Sequence, residues 1–145
     1  MKPFSLQPIL ELMQNRTDDA TRRLASLIAH EKDAKNKFQM LQEYRSEYAF
    51  RFQQAAQSGV SQREWHNYQE FLNRLDEAID SQAQAVNQQE KNTLAGQALW
   101  QQQRVKLKAF DTLSRRHETN ELKLEVKREQ KVQDEFASRS DTEKD

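Results

Sequence analysis

Three histidines, His30, His66 and His117, are the side chains in this chain whose ordinary pKa allows proton exchange near neutral pH. A zinc helix needs two of them at i, i+4, and a catalytic dyad needs one beside a nucleophile or carboxylate in a concave site. The three are far apart in sequence and share no such spacing. There is no cysteine to supply a thiolate or a disulfide. The two glycines, Gly59 and Gly96, form no phosphate-cradling loop, and no nucleophile elbow occurs. The paired Glu-x-x-His motifs of a di-iron bundle need four helices. The residues therefore imply no catalytic site, no metal and no cofactor, and the chain reads as a protein that is not an enzyme.

What positions these side chains is helix. Only 35% of the 145 residues are hydrophobic, 32% are charged, and the mean hydropathy is -1.11, so a thick globular core is not expected. Ala, Leu, Glu, Gln, Lys and Arg fill most positions, no alternating β-branched run occurs, and two Gly with two Pro cannot punctuate many short elements. A few long helices are expected. The 23 basic and 23 acidic residues are interleaved, which argues against nucleic acid as a partner. No apolar stretch approaches the roughly 20 residues of a membrane span, and Met1-Lys2-Pro3-Phe4 leads into no signal-peptide core. Direct membrane insertion is not expected, and a cytoplasmic location is.

Pro3 and Pro8 precede the first helical pattern, so a first helix over about 8–57 can begin at Pro8, where the missing N–H costs nothing. A 3-4 spacing then runs through Leu10, Met13, Thr17, Ala20, Leu24, Leu27, Glu31, Ala34, Phe38, Leu41, Arg45, Tyr48, Phe52 and Ala55. Only Thr17, Glu31 and Arg45 interrupt the apolar seam, and its length signals a coiled coil. Acid-before-base pairs at i, i+4, such as Glu31 with Lys35 and Glu47 with Arg51, mark a solvated face. Each adds about 0.2–0.5 kcal/mol to the helix.

Gly59 can take the left-handed conformation that closes a helix, and the turn spans 58–61. Ser61 and Glu64 then have capping-box spacing, with Val60 and Trp65 as a hydrophobic staple. So short a connection folds the second helix, about 62–137, back along the first. The fold class is all-α: one long antiparallel two-helix coiled-coil hairpin over 1–145, the second helix longer than the first. Its seam continues through Trp65, Tyr68, Leu72, Leu75, Ile79, Gln82, Val86, Gln89, Thr93, Gly96, Trp100, Gln103, Leu107 and Phe110. Aromatic residues Tyr48, Phe52, Trp65 and Tyr68 should clamp the turn end. The Gln-rich middle should be weakly packed with a poorly specified register. Gly96 is read as a close approach to helix one combined with a tolerated weak spot; a break at 92–96 would be the alternative.

At 1.5 Å per residue the helices would measure about 75 and 113 Å, so the second overshoots the first. Residues from about 113 onward should lack an intramolecular partner while carrying Leu113, Leu122, Leu124, Val126, Val132 and Phe136, which suggests a docking surface. Glu121, Glu125 and Glu129 repeat at i, i+4, as do Lys123, Lys127 and Lys131, and like charges at that spacing destabilise an isolated helix. The polar residues 138–145 are expected to fray.

The stretch Trp65-His66-Asn67-Tyr68-Gln69-Glu70-Phe71-Leu72-Asn73-Arg74-Leu75-Asp76-Glu77-Ala78-Ile79 resembles the flagellar export protein FliJ family. Leu41 to Tyr48 is similar to that family's end of helix one, and Glu125 through Arg139, with its DEFASR ending, to its C-terminal segment. The resemblance implies a soluble, stalk-like component of the flagellar type III export apparatus, peripheral at the cytoplasmic face of the inner membrane. It would insert into the export ATPase hexamer, contact the cytoplasmic region of the export-gate membrane protein, and interact with export chaperones. Such a part would couple ATP hydrolysis and proton motive force to protein export.

Carried over by position, the family's gate-binding surface falls on Phe71, Leu75, Ala78 and Gln82. Its ATPase-ring contacts would fall on Leu10, Met13, Leu107, Phe110 and Phe136. Phe71, Leu75 and Ala78 also form an i, i+4, i+7 stripe of the kind helices use to present apolar anchors. Two rival readings share the same build: a structural homodimeric coiled coil paired through the overhang, and the equivalent stalk of a virulence type III secretion system.

Overall fold

A computed structural model describes residues 5–143, with side chains to residue 141. Pro3 lies outside the described residues. Two helices account for the rest: α1, Gln7–Ser58, and α2, Gln62–Glu143, of 52 and 82 residues. The Gln7 N–H is capped by the Ser5 hydroxyl at 3.2 Å, and Leu10 N–H already donates to the Leu6 carbonyl. Pro8 sits in the first turn, where its missing donor goes unused.

Gly59 has φ of 89°, and it lies between α1 and the start of α2. The Glu64 N–H donates to the Ser61 hydroxyl at 3.1 Å, which is the N-cap half of the capping box. No strand occurs among the described residues. The fold class is all-α, a two-helix antiparallel hairpin.

By packing, the chain divides into two units. In residues 19–101, cross-helix partners run in opposite directions: Thr21 with Trp100, Leu27 with Thr93, Ala34 with Gln82, Arg45 with Asp76, and Phe52 with Tyr68. The seam positions on α1 from Ala20 to Ala55 are all less exposed than their neighbours on the outer face. In α2 the shielded row begins at Tyr68, not Trp65, which is 47% exposed. Trp65 opposes the last turns of α1, where Ala55 and Ser58 are too small to cover an indole. The clamp at the turn is completed by Phe71: its ring lies 4.3 Å from Tyr48, whose own ring is 5.4 Å from Tyr68.

α2 runs unbroken through 92–96. Gly96 is buried, and a Cβ on it would stand 2.5 Å from Leu27 Cδ1, so the glycine marks a close approach. The polar middle carries individual cross-helix contacts. Gln82 Nε2 donates to the Ala34 carbonyl at 3.0 Å, and Lys35 reaches both Glu31 and, across the pair, Glu90. The single proton of the Thr93 hydroxyl favours its own helix, at 3.0 Å to the Gln89 carbonyl against 3.4 Å to that of Leu27.

The second unit comprises the start of α1 and α2 from Gln102 onward. Thr17 is buried, its hydroxyl donating to the Met13 carbonyl at 2.8 Å and lying 3.3 Å from that of Gln103. Shielding continues past residue 113: Ser114 is buried and His117 half-buried, lining a groove with Ser5, Leu6 and Gln7. A small serine lets the chain at the start of α1 approach there. From Glu118 to Arg139 every side chain is exposed. α2 nevertheless stays helical to Glu143, past the end expected at 137, since no Gly or Pro follows Phe136 to stop it.

Candidate functional site

Residues 69–82 of α2 make the first candidate surface. Its four expected members are not equivalent. Leu75 is only 7% exposed and, with Leu72, forms the buried core opposite α1. Gln82 turns its amide to the Ala34 carbonyl, so one of its two amide N–H groups is spent within the pair. Phe71 and Ala78 are half-buried at the edge of the seam and keep part of their surface open. Sequence spacing thus set Phe71, Leu75 and Ala78 on one stripe, whereas packing divides them into a buried support and two accessible edge residues.

Tyr44 joins this face and was not singled out from the sequence. Its ring stands 6.3 Å from Phe71 in a T-shaped arrangement, and nearly half of the residue is exposed. The signal available was its i, i+4 relation to Tyr48, which sets two tyrosines along one side of α1. Beside the aromatic edge, Arg45 Nε donates to Asp76 Oδ1 at 2.6 Å, with Nη2 to Oδ2 at 3.4 Å. The hydrogen bond from Arg45, with partial desolvation opposing it and the guanidinium charge assisting, holds the Asp76 carboxyl below its usual range; the Arg45 pKa is raised in turn. Face and ion pair can do recognition; they offer no general acid poised near neutral pH.

In the second unit, Met13 is buried and Leu10, Leu107 and Phe110 are half-buried in the seam. Leu10 and Leu107 line an open groove with Gln14, Arg104, Lys108 and Asp111. Phe136 belongs to a different setting: it is 74% exposed on the part of α2 that α1 does not cover. The structure therefore gathers four of the five expected ring contacts and leaves Phe136 apart. His30 and His66 are exposed, and among the described residues no three of His, Asp and Glu are placed to hold a metal ion. No helix among them is long and apolar enough to cross a membrane.

A paired-helix scaffold with an uncovered helical extension defines a coiled-coil hairpin protein. Comparison with known proteins makes the class specific. The family model described as flagellar FliJ protein matches residues 1–143, and the chain belongs to that family. It is 29% identical over 136 residues to the flagellar FliJ protein of Escherichia coli strain K12, and 28% identical over 136 residues to that of Salmonella typhi; each match covers 94% of this chain and 92% of the relative. Among solved structures, a YscO homolog, CT670, from Chlamydia trachomatis aligns with a TM-score of 0.48 at 18% identity, over 95% of this chain and 94% of that one.

Proposed function

We infer that this chain is a non-catalytic, stalk-like component of the flagellar type III export apparatus. In this reading it acts at the cytoplasmic face of the inner membrane, without inserting into it. The first unit's face, Phe71 and Ala78 with Tyr44 beside them, engages the cytoplasmic region of the export-gate membrane protein. Leu75 supports that face from beneath, and Gln82 fixes it to α1. The unit containing Leu10, Met13, Leu107 and Phe110, together with Phe136 on the uncovered run, engages the export ATPase hexamer. Export chaperones are further partners. ATP hydrolysis and proton motive force belong to those partners, and this chain couples them to protein export by binding both.

The observation that carries the reading is the family match across residues 1–143, taken with two accessible faces on separate units of one two-helix protein. Binding energy in such a protein concentrates in a few partly exposed aromatic anchors, and Phe71 and Phe136 are of that kind. The test is co-sedimentation of the full chain with the export ATPase, scored for hexamer formation and hydrolysis rate, alongside binding to the cytoplasmic region of the gate. The expected result is promotion of both hexamer formation and hydrolysis, with Phe136→Ala weakening the first partner and Ala78→Asp the second. A chain that changes neither hexamer formation nor hydrolysis, and binds no gate region, overturns the reading.

A further inference from the structure

Past His117, the face of α2 that had been turned toward α1 carries Glu121, Leu124 and Arg128, one apolar residue between two charges. Apolar side chains move to a row beginning one residue further on: Thr119, Leu122, Val126 and Phe136, with Glu129 and Gln133 filling the intervening 3-4 positions. One residue is about 100° of rotation around a helix, so the row is turned off the α1 side, with Leu122 still bordering the groove that Ser5, Leu6 and Gln7 line. Leu122 is 63% and Val126 52% exposed, and together with Thr119, Lys123, Lys127 and Gln130 they line an open groove. Extending the intramolecular seam would leave the row bare. Among the described residues, α1 leaves Val126 and Phe136 exposed.

The charges say what the complement is. Lys123 has no acid three or four residues away in either direction, only Thr119, Asn120, Val126 and Lys127. Glu121, Glu125 and Glu129 repel one another within the helix, as do Lys123, Lys127 and Lys131. The helix does pair Glu125 with Arg128 and Lys131 with Glu135, but it leaves Lys123 without an acid at that spacing. Along the apolar row, Glu118 and Glu125 occupy one edge, each just before a seam position, while Lys123 occupies the other, just after Leu122. When two copies of such a helix pair in parallel, each edge meets the opposite edge of its neighbour, five residues on, and Glu118 faces Lys123 of the other copy. In antiparallel pairing each edge meets itself, acid on acid and base on base.

We propose that residues 115–136 of α2 are a self-association surface that pairs in parallel and in register with the same segment of a second copy. Leu122 and Val126 form its centre, and Glu118 with Lys123 set its direction. Glu129 and Gln133 in the row make the association reversible, looser toward Phe136. It rests on α2 alone and stands whether or not the export reading holds. Where Phe136 engages a ring, the same surface is withdrawn from self-association, so the pair belongs to the free chain.

The test is sedimentation equilibrium of the full chain over a wide concentration range. The expected mean mass rises with concentration from the 17.2 kDa of one chain toward twice that value. Lys123→Glu weakens association by roughly tenfold, since two symmetry-related attractions become repulsions, and adding Glu118→Lys restores most of the loss. The chain has no cysteine, so Thr119→Cys, far from the segment's midpoint, gives a clean direction test: mild oxidation links two copies through residue 119 only when they run parallel. Mass constant at one chain overturns the proposal. So does a dimer indifferent to Lys123→Glu, or one in which Thr119→Cys fails to cross-link, because either places the contact on another face or in the opposite direction.

Discussion

Gly96 sits directly beneath Leu27: a Cβ added to the glycine would stand 2.5 Å from Leu27 Cδ1, and 3.8 Å from Leu24 Cδ1. The obstruction is the far end of a flexible side chain. Gly96→Ala therefore sets a gain in helix propensity of about 0.8–1 kcal/mol against a forced shift of Leu27 of about 0.5–1.5 kcal/mol, and thermal unfolding should change by less than about 1 kcal/mol. Gly96→Val adds a branched bulk that one leucine cannot clear and should cost about 1–3 kcal/mol. Leu27→Ala in the Gly96→Val background should recover part of that cost, and equal melting of the alanine and valine variants would refute the close approach.

Asp76 offers a prediction in pH. Its carboxyl is held below the ordinary value by the hydrogen bond from Arg45, so the folded chain binds that proton less readily than the unfolded chain. The contribution of the pair is fully present above the unfolded carboxylate pKa of about 3.9 and is lost as pH falls through the lower folded value. Asp76→Asn should thus lower the melting temperature modestly at neutral pH, and the gap to the native chain should close as the solution is taken below about pH 3.9. A gap that persists in strong acid would assign the effect to packing instead.

The spacing in the sequence placed the α1 seam residue by residue, because a 3.5-residue period is a property of the chain alone. It did not disclose what the polar seam residues do. Arg45 reads as an interruption until the register between helices is known; only then does Asp76 fall opposite it. The same limit explains Trp65, which has seam spacing but faces the small residues at the end of α1, and Phe71, which lies off the ideal seam yet closes the aromatic cluster. Of the candidate sites, Phe71 was visible as an aromatic beside Leu72, whereas Tyr44 required the two helices to be set together.

Phe71 is at once a recognition candidate and part of the clamp, and its substitutions separate those roles. Its ring touches Tyr48 at 4.3 Å and Tyr44 at 6.3 Å, so Phe71→Ala removes two ring contacts along with buried area. A half-buried ring of this kind is worth about 1–3 kcal/mol, less than a fully enclosed one. Phe71→Leu, which retains apolar volume, should cost about 1 kcal/mol or less. Helicity by circular dichroism at low temperature should be unchanged in both variants, with the alanine chain melting earlier. Loss of helicity at low temperature in Phe71→Leu would mean that the ring is needed to form the pair at all.

Gln82 and Gln89 lie two turns apart in the polar middle and should respond differently to the same substitution. The Gln82 amide donates to the Ala34 carbonyl at 3.0 Å, whereas Gln89 Oε1 is buried with no hydrogen-bond partner. A buried, unsatisfied amide oxygen costs about 1–3 kcal/mol relative to water, so replacing Gln89 with leucine, of similar volume and apolar, should stabilise the chain by about 1 kcal/mol or more. Gln82→Leu removes a cross-helix bond while leaving the Ala34 carbonyl its helical donor, so the gain in apolar contact is offset and the change should stay within about 0.5 kcal/mol of zero. Paired denaturant titrations decide between them: a Gln89→Leu chain less stable than the native protein would show that the amide oxygen is satisfied in solution, and that the polar middle is hydrated where the two helices meet.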